Sequence, residues 1–303
     1  MYMRMSLAGD QVAKVITVAA ETTFNAPRGL ALAADGSIYV ADSRNHRIVH
    51  LDNTGLYLGA WGSYANVLDG SAPQGMFNEP WGVAVGPNGD VYVTDTWNQR
   101  IQVFTADGQF LRMWDTFLVD GLVDSFWGPR GIVVDASGKV FITDTGKQRV
   151  VIFDTMGNYL SQFGTRGLEQ GQLDEPVGIA LDANGKLYIA DTWNARVQIF
   201  APQADGSYIS ETYWEVDAWK SNSLDDKPFI AVSPDNEVYF TDPDRGYVLR
   251  FKDNGEFVQR WGGFDNTYMM GIINGIAITE TSQVWVTDAT SNALLQFEPP
   301  SAQ

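Results

Sequence analysis

The sequence predicts an all-β protein that consists of six copies of one four-stranded unit. An aspartate that ends a short apolar run recurs along the chain, at Asp42, Asp95, Asp144, Asp191, Asp242 and Asp288. Its mean spacing is (288 − 42)/5, about 49 residues, which is typical of propeller blades. Helical periodicity is absent, and short apolar runs alternate with turn residues. We therefore predict that residues 1–303 form one domain, a six-bladed β-propeller with four antiparallel strands in each blade.

Each unit contains signals for four strands, which we name a to d in chain order. In the second unit they read GVAV, VYVTD, RIQVF and FLRMW. A Pro-x-Gly motif opens strand a in four units, at Pro27, Pro80, Pro129 and Pro176. Pairs such as Asn88-Gly89 separate strands a and b and predict type I′ hairpin turns. Strand d is predicted to end on a large aromatic residue in five units: Trp61, Trp114, Phe163, Trp219 and Trp261.

The two ends of the chain predict how the ring closes. The sixth unit stops after strand c, NALLQF, and only EPPSAQ remains. The segment VAKVITVA, from Val12, is a spare strand before the first unit. We expect this N-terminal strand to become strand d of the last blade, because it would cover an otherwise exposed sheet edge.

The composition restricts the classes of partner. The chain has 37 acidic and 20 basic residues and a formal net charge of −17. A surface this acidic repels phosphate backbones and anionic membranes, so we expect no nucleic-acid partner. No apolar run approaches the roughly 18 residues of a membrane span, which predicts no direct membrane insertion. The absence of cysteine excludes disulfides, thiol catalysis and cysteine-ligated zinc.

The N-terminal residues, MYMRMSLAGDQVAK, contain no apolar core followed by a small-residue cleavage site, so no signal peptide is predicted. Two interpretations of the compartment remain open. Either the protein is cytoplasmic, or it is an extracytoplasmic module of a larger exported chain.

The repeated Asp and Arg around the b–c turn are interpreted as scaffold. The arginine five residues after the aspartate is present in four units: Arg47, Arg100, Arg149 and Arg196. A catalytic residue is needed once, not once per blade. An aspartate at the end of strand b can accept N–H groups of the b–c turn and pair with an arginine on strand c. We therefore expect Asp95 and Arg100 to hold the turn rather than a ligand.

These motifs resemble the NHL repeat. The clearest copy is GLEQGQLDEPVGIALDANGKLYIADTWNARVQIF, residues 167–200, and four of the six copies are strong. The resemblance covers nearly the whole chain and implies a propeller. It implies less about function, because this fold serves binding modules, sensors and a few lyases and hydrolases. Bacterial NHL repeat-containing modules often stand outside the membrane on sensor kinases or glycan-handling enzymes, which would fit the exported alternative.

The candidate ligand-binding residues are those that differ between the units. In a propeller the d–a loops and b–c turns share one face, which we call the loop face. The a–b and c–d turns share the opposite face, the hairpin face. Arginine and aromatic residues occupy two variable positions of the loop face, and the predicted site consists of Arg28, Arg44, Trp81, Trp97, Arg130, Trp193 and Phe229.

These residue types suit several ligands. Arginine offers a planar fork for carboxylate or phosphate, and tryptophan offers an apolar face for a sugar ring or an aliphatic side chain. The alternative is that Trp81, Trp97 and Trp193 only cap the blade ends.

Two long and apolar d–a loops, residues 115–129 and 262–273, lie on the same face. Their side chains either form an exposed contact patch or fold inward and plug the channel, and both alternatives remain open. The residues concerned are Phe117, Leu118, Phe126, Trp127, Tyr268 and Met269.

The chemistry of propeller enzymes is not evident. Only two histidines are present, His46 and His50, both in the first unit and both expected at the surface. They cannot build the histidine-ligated zinc that the resemblance to NHL-like lyases implies, nor supply the central histidine of virginiamycin B lyases. At the channel mouth only Asn274 suits the calcium of lactonase-type propellers. We predict no catalytic residue, no metal and no cofactor.

The leading hypothesis is therefore a non-catalytic binding module that recognises a peptide, a glycan or a partner protein at the loop face. The alternative is a hydrolase, lactonase or lyase that uses acidic residues in the central channel.

Overall fold

The computed structural model describes residues 23–219, 223–262 and 270–297, and the backbone of two N-terminal strands, β1 (Tyr2–Leu7) and β2 (Gln11–Ile16). Tyr268 and Met269 of the predicted contact patch lie outside these residues. Within the described ranges, no helix has the length and the apolar character that a bilayer crossing requires.

The strands form six antiparallel sheets, the blades, around a central channel. The first blade contains β3 (Pro27–Leu32), β4 (Ile38–Asp42), β5 (Arg47–Leu51) and β6 (Tyr57–Trp61). The second contains β7 (Pro80–Val85), β8 (Val91–Asp95), β9 (Arg100–Phe104) and β10 (Phe110–Trp114). A separate hairpin follows, β11 (Thr116–Val119) and β12 (Leu122–Ser125). The third blade contains β13 (Pro129–Val134), β14 (Val140–Asp144), β15 (Arg149–Phe153) and β16 (Tyr159–Phe163).

The fourth blade contains β17 (Pro176–Leu181), β18 (Leu187–Asp191), β19 (Arg196–Pro202) and β20 (Tyr208–Glu215). The fifth contains β21 (Ile230–Val232), β22 (Val238–Asp242), β23 (Tyr247–Phe251) and β24 (Phe257–Gly262). The sixth contains β25 (Ile273–Ile278), β26 (Val284–Asp288) and β27 (Ala293–Phe297). Single 3-10 turns occur at Ser43–Asn45, Val67–Asp69, Thr96–Asn98 and Thr145–Lys147. The predicted six-bladed propeller is confirmed.

The ring closes as the sequence predicts. Strand β2 pairs antiparallel with β27, so that Ala13 lies opposite Phe297 and Ile16 opposite Leu294. It is therefore strand d of the sixth blade. Strand β1 then pairs with β2 as a fifth strand, which the sequence did not indicate.

Neighbouring blades pack closely at strand a, and this explains the repeated Pro-x-Gly motif. A Cβ on Gly82 would lie 2.2 Å from the carbonyl oxygen of Arg130 in the next blade. The Thr94 hydroxyl accepts the Gly82 N–H at 2.7 Å and donates to the same Arg130 oxygen at 2.8 Å. Thr143, Thr241 and Thr287 make the equivalent bridges. In these four blades, a threonine one residue before the aspartate therefore joins adjacent blades.

The prediction for Trp219 was wrong. Strand β20 has eight residues and ends at Glu215, whereas strand d of the first blade has five. Trp214 pairs with Val197 where Trp61 pairs with Ile48, so Trp214 is the aromatic residue equivalent to those of the other blades. Trp219 is buried in the d–a loop instead, and its Nε1 donates to Thr241 O at 2.8 Å.

The type of hairpin turn also differs from the prediction. A type I′ turn needs positive φ at two central residues, but at Asn88-Gly89 only the glycine has positive φ (83°). Gly89 N–H donates to Gly86 O, and Gly86 N–H donates to Asp90 O. This pattern is a three-residue loop, a type I turn followed by a glycine bulge.

Candidate functional site

The repeated aspartate is a buried anchor beneath the loop face. The Asp95 carboxylate is fully buried, and its Oδ2 accepts a hydrogen bond from Arg100 Nε at 2.7 Å. The pairs Arg47–Asp42, Arg149–Asp144 and Arg196–Asp191 are 2.7, 2.9 and 2.7 Å apart. The Arg100 guanidinium also donates to Pro73 O at 3.1 Å and Met76 O at 2.8 Å in the preceding d–a loop. The Asp95–Arg100 ion pair therefore also fixes the backbone of the preceding d–a loop.

The main-chain partner of this anchor differs from the expectation. Asp95 Oδ1 accepts the N–H of Asn78 at 2.7 Å, and Asn78 belongs to the d–a loop rather than the b–c turn. The equivalent donors in three other blades are the N–H groups of Asn25, Trp127 and Asp174. In the sixth blade the aspartate does accept two N–H groups of its own b–c turn. Burial raises the pKa of Asp95, and Arg100 and the hydrogen bonds oppose that shift.

Three predicted site residues, Arg28, Trp81 and Arg130, meet at the mouth of the channel. Each follows the proline that opens strand a, in the first, second and third blades. The Arg28 and Arg130 guanidinium carbons lie 3.7 and 4.3 Å from the ring centroid of Trp81. Trp81 is fully buried and both arginines are almost fully buried. These cation–π contacts occupy the Trp81 ring with the protein's own side chains.

A d–a loop segment, residues 223–229, closes this mouth. The carbonyl oxygen of Asp225 accepts a hydrogen bond from Arg28 Nη1, and Asp225 Oδ1 lies 3.5 Å from Arg28 Nη2. The carbonyl oxygen of Leu224 accepts a hydrogen bond from Arg130 Nη2 at 3.1 Å. The Phe229 ring reaches the inner strand of the first blade, with Cε1 3.2 Å from where a Cβ of Gly29 would lie. We call residues 223–229 the mouth segment.

An open groove of about 360 Å³ lies beside the closed mouth. Trp97 and Trp127 line it and are 38% and 60% exposed. Arg130 and Glu175 also line it, and their side chains are paired at 3.0 Å. The Trp127 ring packs on Gly146, where a Cβ would lie 2.8 Å from ring atoms. The groove therefore offers apolar ring surface next to a largely buried ion pair.

Two predicted residues lie elsewhere on the face. Trp193 is 41% exposed, and the Lys227 Nζ lies 5.1 Å from its ring centroid. Arg44 is exposed in the first b–c turn. The structure thus places Arg28, Trp81, Arg130 and Phe229 at the mouth, Trp97 in the groove, Trp193 above Lys227 and Arg44 in the first blade. Sequence reasoning did not single out Lys227 or Asp225, because the repeat is degenerate around them.

The apolar loop at 115–129 folds as the hairpin β11–β12 and does not plug the channel. Phe117 and Phe126 are buried, with ring centroids 5.0 and 5.6 Å from that of Phe153, so these two rings neither form an exposed patch nor plug the channel. Side chains alternate along a strand, so Leu118 points away from Phe117. Leu118 and Trp127 are exposed as expected.

The channel below the mouth has a volume of about 280 Å³ and is lined by Gly, Ala, Val, Leu and Ile of the six inner strands and by Phe229. Among the described residues, no three of His, Asp and Glu stand close enough together to hold a metal ion. His46 and His50 are half-buried rather than at the surface. His46 Nδ1 accepts the Glu79 N–H at 3.1 Å, and His50 stacks on Tyr39. Burial lowers the pKa of both histidines.

Comparison with known proteins identifies the repeat. The NHL repeat family matches residues 24–51, 77–104, 126–153 and 173–200, which are strands a to c of the first four blades. NHL repeat-containing protein 2 of Gallus gallus is 40% identical over 80 residues. The match covers 25% of this chain and 11% of that protein, so the two share a short region of a much longer relative.

Solved structures agree in fold. A gluconolactonase from Xanthomonas campestris superposes with a TM-score of 0.68 at 14% identity, over 96% of this chain and 91% of its own. A chain of the nidogen/laminin complex gives a TM-score of 0.57 at 18% identity, over 86% of this chain and 91% of its own. At these identities the likeness concerns the fold alone. The protein is a six-bladed β-propeller whose first four blades match the NHL repeat family.

Proposed function

We propose that the protein is a non-catalytic binding module that recognises a peptide or a partner protein at the loop face. The observation that carries this proposal is the open groove, in which the exposed rings of Trp97 and Trp127 stand beside the Arg130–Glu175 pair. Exposed tryptophan next to a desolvated arginine is typical of residues that dominate binding energy.

The surroundings of the groove favour a protein ligand over a glycan. The hairpin β11–β12 ends at Ser125, two residues before Trp127, and carries Leu118, Leu122 and Val123, which are all strongly exposed. These three side chains add exposed apolar surface to the loop face, and large exposed apolar surfaces mark protein contact sites. The hairpin is held in place by the Asp124 carboxylate, which pairs with Lys147 and Arg149 at 2.5 and 2.6 Å.

The test begins with selection of peptide binders on the wild-type protein from a random peptide library. We expect the double variant Trp97→Ala/Trp127→Ala to weaken the affinity of the selected peptides at least about tenfold, because each ring supplies apolar contact area. The matched control is Leu56→Ala/Met156→Ala, which removes two exposed apolar side chains from the hairpin face. If the control weakens binding and the tryptophan variant does not, the loop face is not the binding face.

The enzyme alternative has one supporting observation, the gluconolactonase-like fold. The apolar lining of the channel favours the binding module over hydrolysis by channel carboxylates. Hydrolysis of glucono-δ-lactone above the uncatalysed rate, lost when Phe229 is changed to Trp to fill the channel, would support the alternative.

A further inference from the structure

The mouth of the channel concentrates positive charge in a buried position. Arg28 and Arg130 come from the first and third blades and Lys227 from the mouth segment, and they are 3%, 4% and 0% exposed. Burial of a cation is costly unless an anion or several acceptors compensate for lost hydration. The overall charge of the chain is strongly negative, so this cluster runs against the average composition.

Several polar atoms of this cluster have no hydrogen-bond acceptor among the described residues. They are Lys227 Nζ, Arg28 Nε, Arg130 Nε and the Trp81 indole Nε1. All four are donors, and native structures rarely leave buried donors unpaired. Burial also lowers the pKa of Lys227 to about 8 and the pKa of Arg28 to about 10.

The carboxylates near these cations compensate only in part. Glu175 is largely buried and pairs with Arg130. Asp225 approaches Arg28 only to 3.5 Å, and its side chain is 51% exposed at the edge of the cluster. The mouth segment carries two carboxylates, Asp225 and Asp226, and Asp226 accepts a hydrogen bond from the Ser223 hydroxyl at 3.0 Å. Among the described residues, neither carboxylate is hydrogen-bonded to Lys227 Nζ.

We propose that the mouth binds a carboxylate of the ligand, which replaces the Asp225 carboxylate at Arg28 and accepts a hydrogen bond from Lys227 Nζ. The inference rests on the proposed binding function, since the mouth and the groove share Arg130 and Leu224. The apolar part of a peptide would lie on Trp97 and Trp127, and its acidic side chain or terminal carboxylate would enter the mouth. A carboxylate is favoured because the chain's own group at this position, Asp225, is one and because a guanidinium pairs with its planar fork.

The experiment uses sodium acetate as the probe and thermal unfolding as the readout, with sodium chloride at matched ionic strength as the reference. Acetate at ten times its Kd should raise the Tm of the wild-type protein by about 2–3 °C relative to chloride. Lys227→Met should abolish the acetate-specific shift. Asp225→Asn should lower the apparent Kd for acetate about tenfold, since the internal competitor is removed. If Asp225 had only a structural role, Asp225→Asn would not bind acetate more tightly than the wild type.

Several outcomes would overturn the inference. One is an acetate shift no larger than the chloride shift in both the wild type and Asp225→Asn. Another is a shift that persists in Lys227→Met, or in Lys227→Gln where the Met variant does not fold. A shift with inorganic phosphate but not with acetate would show that the mouth does not select carboxylates. These results leave the tryptophan groove test untouched, so failure of the carboxylate site is distinguishable from failure of the binding module.

Discussion

The two faces of the propeller are built from the same strands but differ in charge and in the variety of their connections. On the hairpin face, the described part of the chain has eleven five-residue turns that connect strands a to b and c to d. They contain thirteen acidic residues and three lysines, so they carry ten of the seventeen net negative charges of the chain. Their aspartates accept hydrogen bonds from their own turns, as Asp52 does from Thr54 and Leu56.

On the loop face, several charged groups are buried, and some of them pair across long distances in sequence. Arg28 and Asp225 are 197 residues apart, and the loops range from short links to the hairpin β11–β12. A short turn leaves few backbone choices, so its residues repeat from blade to blade. A long loop can change without disturbing the strands, and recognition is commonly placed on such loops. The contrast supports the proposal that ligands bind at the loop face.

We expect the largest difference in stability between alanine variants of two aspartates, Asp95 on the loop face and Asp107 on the hairpin face. Asp95→Ala removes a fully buried partner of Arg100 and the acceptor of the Asn78 N–H. We expect a loss of about 3–5 kcal/mol in the free energy of unfolding, measured by urea denaturation, because an unpaired buried cation remains. Asp107→Ala, in a hairpin turn, should shift the urea midpoint far less. Equal losses in the two variants would remove the distinction between the faces.

A second effect compares the inner and outer edges of a blade. Gly82→Ala places a Cβ 2.2 Å from Arg130 O and should cost about 2–3 kcal/mol of unfolding free energy by overpacking. Gly59→Ala, on an outer strand, meets no atom within 4 Å and should be neutral or slightly stabilising. Denaturation midpoints of the two variants check this, and a tolerated Gly82→Ala would contradict the close packing of the blades.

A third effect depends on pH. Burial raises the pKa of Asp242 to about 6, and nearby Arg245 opposes this shift. The folded state therefore binds more protons than the unfolded state between about pH 4 and pH 6, so this group's contribution to stability falls as the pH rises through that window.

Relative to Asp242→Asn, the wild type should lose about 2 kcal/mol between pH 4 and pH 6, measured by urea denaturation at each pH. Asp52→Asn on the hairpin face should show the opposite sign, because hydrogen bonds from its turn lower the pKa of Asp52. The same pH dependence for both variants would contradict the assignment.

The sequence predicted the propeller because the aspartate, the Pro-x-Gly motif and the strand pattern recur at one spacing. It did not predict the turn type, since an Asn-Gly pair fits both a two-residue turn and a three-residue turn with a glycine bulge. It also left open whether Phe117 and Phe126 are exposed or fill the channel, because the hairpin that buries them lies outside the repeat. The mouth segment has no repeating signal, so the contact of Asp225 with Arg28 could be found only in three dimensions.

In the second blade, the scaffold residue Asp95 and the exposed Trp97, which we propose for recognition, lie two residues apart. Urea denaturation of Trp97→Ala/Trp127→Ala separates these two roles. We expect a loss of less than about 1 kcal/mol in the free energy of unfolding with an unchanged m-value, because both rings are partly exposed. A loss comparable with that of Asp95→Ala would show that the tryptophans cap the blades and would contradict the assignment of the binding face.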